Sequence, residues 1–327
     1  MSADAVDAPG FPAYRAPKWL PGGHTQTLYP LLIKSPPPAY RRERWETPDG
    51  DFIDLDWVDG DAKQPLLVLF HGLEGSSASH YASSLMHALQ ARGWTGVVSH
   101  FRGCSGELNR LPRAYHSGDS DEVDWVLDRL HQRFPARRRY AVGVSLGGNA
   151  LLKWLGEREF LASARLAAAA SVCAPIDLAA CGHQLGRGLN RIYTRNFLRT
   201  LKKNAAEKLA HFPGLFDGRR AAAARNLYEF DDAVTAPLHG FLGADDYWRR
   251  ASAKPLLRGI RIPTLLLAAK NDPFLPAHAL PHTDEVSTKV QLDFPHDGGH
   301  VGFVTGSLPG RLDWLPQRLL HFFDHGN

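Results

Sequence analysis

The stretch RRYAVGVSLGGNALLKWL, from Arg138 to Leu155, decides how this chain folds. Residues 140–144 form an apolar run of strand length, and a helix-like segment begins a few residues later. The turn between them is so tight that Ser145 is forced outward at the helix N-terminus, where free N–H groups favour developing negative charge. Gly143 and Gly147 leave room for backbone that must pass close to the turn. This context predicts that Ser145 is a nucleophile, and a serine that merely caps the helix is the alternative.

Apolar runs bounded by turn residues recur along the chain and predict further strands of the same sheet. Several runs are continuous, as expected of strands buried on both faces, and helix-like stretches separate them. This alternation predicts an α/β fold with a mostly parallel central sheet flanked by helices. The alternating first run predicts an antiparallel hairpin at the sheet edge. The predicted strands are 52–58, 66–70, 95–101, 140–144, 166–172, 264–269 and 290–294, and the clearest helices are 80–92, 120–133 and 149–158.

The alternation of strands and helices stops between residues 177 and 260. This segment has helical spacing and no convincing strand, so we expect a helical cap inserted over one end of the sheet. The predicted organisation is an N-terminal arm at 1–40, the first part of the core at 41–176, the cap at 177–260 and the rest of the core at 261–327.

The composition excludes several classes of protein. A hydrophobic content of 44% can fill a sizeable core, and no apolar run reaches the length of a membrane span. Asp4 and Asp7 stand where a secretion signal would need positive charge. The net charge of +4 is spread over the chain and forms no dense basic face, which argues against nucleic-acid binding.

Cysteine usage and glycine spacing argue against metals and organic cofactors. The three cysteines, Cys104, Cys173 and Cys181, are an odd number without the spacing of metal ligands. They predict a reducing compartment, by default the cytoplasm. The turn around Ser145 lacks the three-glycine spacing of a dinucleotide fingerprint, so we expect no cofactor.

A serine hydroxyl needs a base that takes its proton, and the base needs an orienting carboxylate. Asp272 follows the apolar run that ends at residue 269, and His300 follows the run that ends at residue 294. The glycines before His300 let its loop bend back over the end of the sheet. The order Ser145, Asp272, His300 is that of an α/β-hydrolase sheet and predicts a catalytic triad.

Other residues along the chain are alternative candidates for the base and for the orienting acid. His296 lies four residues before His300, but it directly follows a proline near the strand end. Asp177 is the second-ranked orienting acid, and Asp245 and Asp246 are expected to cap a helix or to face solvent.

Acyl transfer also requires donors that stabilise an oxyanion. The backbone N–H of Leu146 is one candidate, and that of Leu73, in the turn after the strand at 66–70, is the other. We expect His71, in the same turn, to be structural. Cys104 has no evident base partner and reads as a small buried hydrophobe or a pocket wall.

Several of these motifs together resemble one branch of the α/β hydrolases, which includes bacterial YheT-like hydrolases, plant EMB8-like proteins and animal abhydrolase-domain lipases. The resemblance covers nearly the whole chain and implies an esterase or lipase-like serine hydrolase with Ser145, Asp272 and His300 as its triad. Short-chain ester, monoacylglycerol and phospholipid hydrolysis fit such a family, as does acyl transfer to alcohols. The motifs are residues 19–28 (WLPGGHTQTL), 70–75 (FHGLEG), 100–106 (HFRGCSG), 115–118 (YHSG) and 143–149 (GVSLGGN), with the loops of Asp272 and His300.

Two further features leave alternatives open. His24 and Gln26 in the N-terminal arm either face the active site or tie the arm to the core by hydrogen bonds. In the cap, arginines recur every fourth residue, with apolar residues recurring likewise on the opposite side of the predicted helix. We expect either weak peripheral contact with anionic membranes or a solvated basic face. The two series are Arg187, Arg191, Arg195 and Arg199, and Leu189, Tyr193, Phe197 and Leu201.

The sequence therefore predicts a serine hydrolase that cleaves carboxylic esters, either short-chain acyl esters or monoacylglycerol-like lipids, through an acyl-enzyme. The alternatives are an acyltransferase that uses alcohol acceptors and a non-catalytic protein that binds a ligand in a hydrolase fold.

Overall fold

The structure, a computed structural model, describes residues 10–33 and 36–326. Within these ranges, eight strands form one sheet in the order β1-β2-β4-β3-β5-β6-β7-β8. Strand β2 runs antiparallel to both of its neighbours, and all the other pairs are parallel. The predicted fold class is confirmed. The strands are β1 (Arg41–Glu46), β2 (Phe52–Val58), β3 (Leu66–Phe70), β4 (Thr95–Ser99), β5 (Arg139–Val144), β6 (Ala168–Val172), β7 (Thr264–Leu267) and β8 (Val290–Asp293).

The edge of the sheet differs from the prediction. Strand β2 makes the expected antiparallel hairpin, but it lies between β1 and β4, and β1 is the edge strand. The polar residues that gave β2 its alternating pattern, Asp54 and Asp56, are buried. Their carboxylates form ion pairs with Arg44 and Arg42 of β1, at 2.8 and 2.7 Å. The missed strand β1 is almost wholly polar because it supplies these arginines.

Helices cover both faces of the sheet. Helices α2 and α11 pack on one face through side chains such as Leu85 and Leu319, and α3 and α4 pack on the other through side chains such as Leu127 and Leu151. No helix in the described ranges combines the length and the apolarity needed to cross a membrane. The helices outside the segment between β6 and β7 are α1 (Gly23–Leu28), α2 (His80–Ala91), α3 (Ser120–Arg133), α4 (Leu146–Arg158) and α11 (Trp314–His325), of which α1 and α11 were not predicted.

The segment between β6 and β7 is helical, as expected, and we propose it as the cap. Its last turn, Lys254–Gly259, packs against α4 of the core through the fully buried Leu257, so we place the end of the cap near residue 252 rather than 260. The cap helices are α5 (Leu178–Leu185), α6 (Arg191–His211), α7 (Gly218–Ala223), α8 (Leu227–Phe230), α9 (Ala236–His239) and α10 (Ala244–Ala251), with a π-helical turn at Asp231–Thr235.

The arginine series does not lie on a single helix, contrary to the prediction. Arg187 has extended backbone and precedes α6, and Gly188 has a φ of +51° that breaks the helical path. Helix α6 therefore carries Arg191, Arg195 and Arg199, all of them exposed.

Candidate active site

Ser145 occupies the sharp turn between β5 and α4. Its φ of 52° and ψ of −120° are unusual for a residue with a side chain and hold that side chain away from the strand. A Cβ atom at Gly143 would lie 2.4 Å from the carbonyl oxygen of Gly147, and one at Gly147 would lie 2.3 Å from that of Phe70. The turn therefore requires glycine at both positions.

The structure brings the three predicted triad residues together. His300 Nε2 lies 3.0 Å from Ser145 Oγ, and His300 Nδ1 lies 2.8 Å from Asp272 Oδ2. The other carboxylate oxygen of Asp272 accepts a hydrogen bond from the N–H of Phe274. A proton on Nδ1 lets His300 donate to the carboxylate while Nε2 accepts from the serine hydroxyl. This arrangement can remove the serine proton during nucleophilic attack.

The rival residues serve other purposes. The carboxylate of Asp177 caps helix α5 by accepting from the N–H of Ala180. Asp245 accepts from the hydroxyl of Tyr228, and Asp246 accepts from the N–H of Leu242. The side chain of His296 is 87% exposed and faces Asp297 rather than the serine.

The two predicted oxyanion donors, Leu73 and Leu146, both line the cavity above Ser145. Neither backbone N–H donates to a protein acceptor in the part of the chain that the structure describes. Both are therefore available to an oxygen of a bound substrate.

His71 is buried, Cys104 is partly buried, and neither of them is among the residues that line the cavity. His71 Nδ1 donates to the carbonyl of Gly72, and Nε2 accepts from the N–H of Phe101, so the imidazole joins two loops of the core. Burial lowers the pKa of His71 to about 3. Burial also raises the pKa of the Cys104 thiol well above its usual range, which disfavours a thiolate nucleophile.

The N-terminal arm holds both loops of the triad. The side-chain oxygen of Gln26 accepts from the N–H of Gly298 at 2.8 Å and from the amide of Asn271 at 2.9 Å. The hydroxyl of Thr27 accepts from the backbone N–H of His300 at 2.9 Å. Gln26 is buried and thus joins the loop of Asp272 to the loop of His300. The sequence signal for this role is the segment GGHTQT, whose polar residues no core pattern explains.

Replacing Gln26 by alanine is expected to lower kcat by about 100-fold, because the two loops lose their shared acceptor and the imidazole can shift by about 1 Å. The N–H of Gly298 is then left buried without a partner, at a cost of about 1–3 kcal/mol in unfolding free energy. Steady-state kinetics and thermal unfolding measure the two effects.

His24 supplies the matched control for this substitution. Its imidazole lies on the same arm but bonds the hydroxyl of Tyr193, at 3.1 Å, instead of a triad loop. We expect His24→Ala to keep kcat within about threefold of wild type, since no triad loop is released. Wild-type kcat in Gln26→Ala would contradict the positioning role.

One cluster has the donor types of a metal site. The ligand atoms of Cys173, Asp272 and His300 lie within 4.8 Å of one another. Hydrogen bonds already occupy these atoms, because His300 bonds Asp272 and the Cys173 sulfur accepts from the N–H of Val301. Cys173 thereby supports the histidine loop.

Ser145 and His300 open into a cavity between the core and the cap. Most of its wall is apolar and comes from several cap helices and from loops of the core, including α5, α6 and the loop after β7. The apolar wall includes Leu178, Leu185, Phe197, Leu201 and Leu275. Phe197 and Leu201 of the predicted apolar series therefore face the cavity.

Comparison with known proteins identifies the family of this chain. Residues 65–307 match a protein family whose description is "alpha/beta hydrolase fold". This chain belongs to that family. The hydrolase is 43% identical to YheT of Escherichia coli, and the match covers 90% of this chain and 88% of the relative. It is 32% identical to the human phospholipase ABHD3, and that match covers 94% of this chain and 79% of the relative.

The names of the relatives support the predicted carboxylic ester hydrolase. Besides the phospholipase, a monoacylglycerol lipase of Saccharomyces cerevisiae is 29% identical over 86% of this hydrolase and 63% of the relative. Among solved structures, the esterase Pf2001 of Pyrococcus furiosus has a TM-score of 0.55 at 16% identity, covering 88% of this chain and 93% of that chain. That likeness shows the shared fold.

Proposed function

We propose that this hydrolase cleaves carboxylic esters through an acyl-enzyme intermediate on Ser145. The observation that carries the proposal is the hydrogen-bonded chain from Ser145 Oγ to His300 Nε2, 3.0 Å, and from His300 Nδ1 to Asp272, 2.8 Å. Family membership supports ester hydrolysis in general, and the geometry supports this serine mechanism.

In the first half-reaction, Ser145 Oγ attacks the ester carbonyl carbon while His300 takes the hydroxyl proton. The N–H groups of Leu73 and Leu146 stabilise the oxyanion. The bond to the alcohol oxygen then breaks, and His300 gives its proton to the departing alcohol. In the second half-reaction, His300 takes a proton from water, the resulting hydroxide attacks the acyl carbon, and Ser145 regains its proton as the acid leaves. Asp272 keeps the proton of His300 on Nδ1 and stabilises the imidazolium.

The apolar wall of the cavity suits the acyl chain of the substrate. We therefore propose acyl esters or monoacylglycerol-like lipids, for which burial of the chain against leucine and phenylalanine side chains supplies the binding energy. Loss of p-nitrophenyl ester hydrolysis and of fluorophosphonate labelling in Ser145→Ala tests the function. Ethanol in the assay identifies the acceptor, because formation of ethyl esters would indicate acyl transfer to alcohol in place of hydrolysis.

The outer face of α6 supports weak contact with anionic membranes, which we add to the proposal. Arg191, Arg195 and Arg199 are exposed on this face. Leu189 and Ile192, beside the first of them, are 64% and 67% exposed. A cationic surface with apolar side chains at one end is typical of segments that lie at a lipid interface.

The N-terminal arm contacts α6 and carries further exposed apolar side chains. His24 of α1 contacts Tyr193 of α6, with ring centroids 5.8 Å apart. Leu28 lies one helical turn beyond His24, and Leu31 and Leu32 follow it. These three leucines are 46%, 67% and 75% exposed.

We expect the hydrolase to co-sediment with vesicles that contain an anionic lipid more strongly than with neutral vesicles, and the difference to fall as salt screens the charges. Replacing the three α6 arginines by glutamine should abolish the difference. The same substitution at the exposed Arg110, Arg219 and Arg249 is the control and should preserve most of it. Equal binding of the wild type to both vesicle types at low salt would contradict membrane contact.

A further inference from the structure

One wall of the cavity beside Ser145 is polar and includes a residue that precedes α3. It is formed by His116, which precedes α3, and by Asp231, Thr235, His239 and Tyr247 of the cap, all of which line the cavity. Five further lining residues carry charged or amide side chains, but they make hydrogen bonds within the protein, as Asn204 does with Glu74 and Lys208 does with Asn109. These five are Glu74, Arg102, Asn109, Asn204 and Lys208. The rest of the wall is mostly apolar, so a polar part of the substrate can lie against one of these two regions.

Most of the polar wall is occupied by hydrogen bonds within the protein. The carboxylate of Asp231 accepts from the indole N–H of Trp248 at 2.8 Å and from the hydroxyl of Thr235 at 2.6 Å. The hydroxyl of Tyr247 accepts from the N–H of Ser117 at 2.9 Å. These bonds fix the wall.

His239 is the exception. Its Nε2 atom is buried and has no partner in the described part of the protein. Its ring lies 4.4 Å from that of His116, centroid to centroid, and the Nδ1 atom of His116 accepts from the N–H of Gly118. A buried ring nitrogen without a partner costs free energy, which a ligand group that bonds it recovers. His239 therefore has an unpaired hydrogen-bonding atom next to the cavity that Ser145 also lines.

The charge of this wall indicates the kind of group that fits. Burial lowers the pKa of His239 to about 3 and also lowers that of His116, so both imidazoles are neutral near pH 7. The surrounding charges include both signs, since Arg113 pairs with Asp119 next to the two rings and Lys153 and Asp121 lie farther out. Two neutral imidazoles, in a cavity that the carboxyl group of Asp231 also lines, suit an uncharged hydroxyl, which both donates and accepts, better than a phosphate or a carboxylate.

We propose that His239 and His116 bind a hydroxyl group on the alcohol part of the substrate, so that the enzyme prefers monoesters of a polyol such as glycerol to esters of simple alcohols. This inference rests on the proposed ester hydrolysis and adds the head group to it.

The test compares kcat/KM for 1-octanoylglycerol with that for propyl octanoate, two esters with the same acyl chain and alcohols that differ by hydroxyl groups. We expect the wild type to favour the glycerol ester, and the ratio to fall about tenfold in His239→Phe and in His116→Phe. His183 supplies the matched control, because it packs against Trp248 outside the cavity lining. His183→Phe should keep the wild-type ratio.

A second measurement uses the wild type alone and does not depend on whether a variant folds. The non-hydrolysable ether 1-O-octylglycerol should inhibit more strongly than octyl propyl ether. A wild-type ratio near one, equal inhibition by both ethers, or an unchanged ratio in His239→Phe would overturn the hydroxyl site. Failure of the underlying function has a different signature, because full activity of Ser145→Ala on both esters would refute the mechanism whatever the ratio.

Discussion

Ser145→Ala is expected to lower the rate of ester hydrolysis by roughly 10⁴-fold or more and to abolish covalent labelling by a fluorophosphonate. The reason is that, among the described residues, Ser145 supplies the one hydroxyl that bonds the imidazole of His300, at 3.0 Å. The oxyanion donors remain in the variant, so a small residual rate above that of water is compatible with the mechanism. A p-nitrophenyl ester series from acetate to palmitate measures the loss and also gives the chain-length optimum of the wild type.

Ser117 provides the control for this experiment. It lines the same cavity, but its hydroxyl accepts from the side chain of Asn149 and does not contact His300. Ser117→Ala should therefore still be labelled by the fluorophosphonate. Retained labelling of Ser145→Ala would assign the nucleophile elsewhere, and a wild type that neither hydrolyses nor is labelled would favour a binding role.

Asp272→Asn is expected to lower kcat by about 10⁴-fold with little change in KM. Asparagine has nearly the same shape, so the fold should persist. Its amide can present an N–H to His300 Nδ1, which favours the tautomer whose Nε2 carries the proton and cannot accept from Ser145. Steady-state kinetics measures the effect, and the circular dichroism spectrum shows that the fold is retained.

The rival acid offers a matched comparison. Asp177 was the second-ranked orienting residue in the sequence, and its carboxylate caps α5. Asp177→Asn keeps a capping oxygen, so we expect kcat within about threefold of wild type and at most a small loss of stability. A loss of activity as large as that of Asp272→Asn would contradict the assignment of Asp272 as the partner of His300.

The parts of the site that follow from local sequence could be predicted. The turn around Ser145 is short, and a Cβ atom at Gly143 or Gly147 would meet backbone at 2.4 or 2.3 Å. The residues that the turn requires are therefore adjacent in the sequence. The glycines that precede His300 favoured it over His296 as the base. Their φ values of 144° and 60° show how the loop bends. The central parallel strands β3, β6 and β7 could be predicted because they are buried on both faces and therefore almost wholly apolar.

The features that depend on distant partners could not be predicted. Strand β1 has no apolar pattern, because its arginines pair with two carboxylates of β2. Gln26 gives no periodic signal, and its role appears only when the loops of Asn271 and Gly298 lie beside it. The prediction began the arginine-bearing helix too early in the chain. The four-residue spacing of its side chains continues through Gly188, but the backbone at Gly188 is not helical.

The bond between Gln26 and Gly298 has a consequence for the synthesis of the enzyme. Its two partners are 272 positions apart, so on a ribosome that adds about 5–20 residues per second the arm waits roughly 15–55 s for the loop that it secures. During that interval the amide of Gln26 is solvated or has transient partners. Esterase activity in a cell-free translation reaction is therefore expected to lag behind formation of the central strands, and to report completion of the chain.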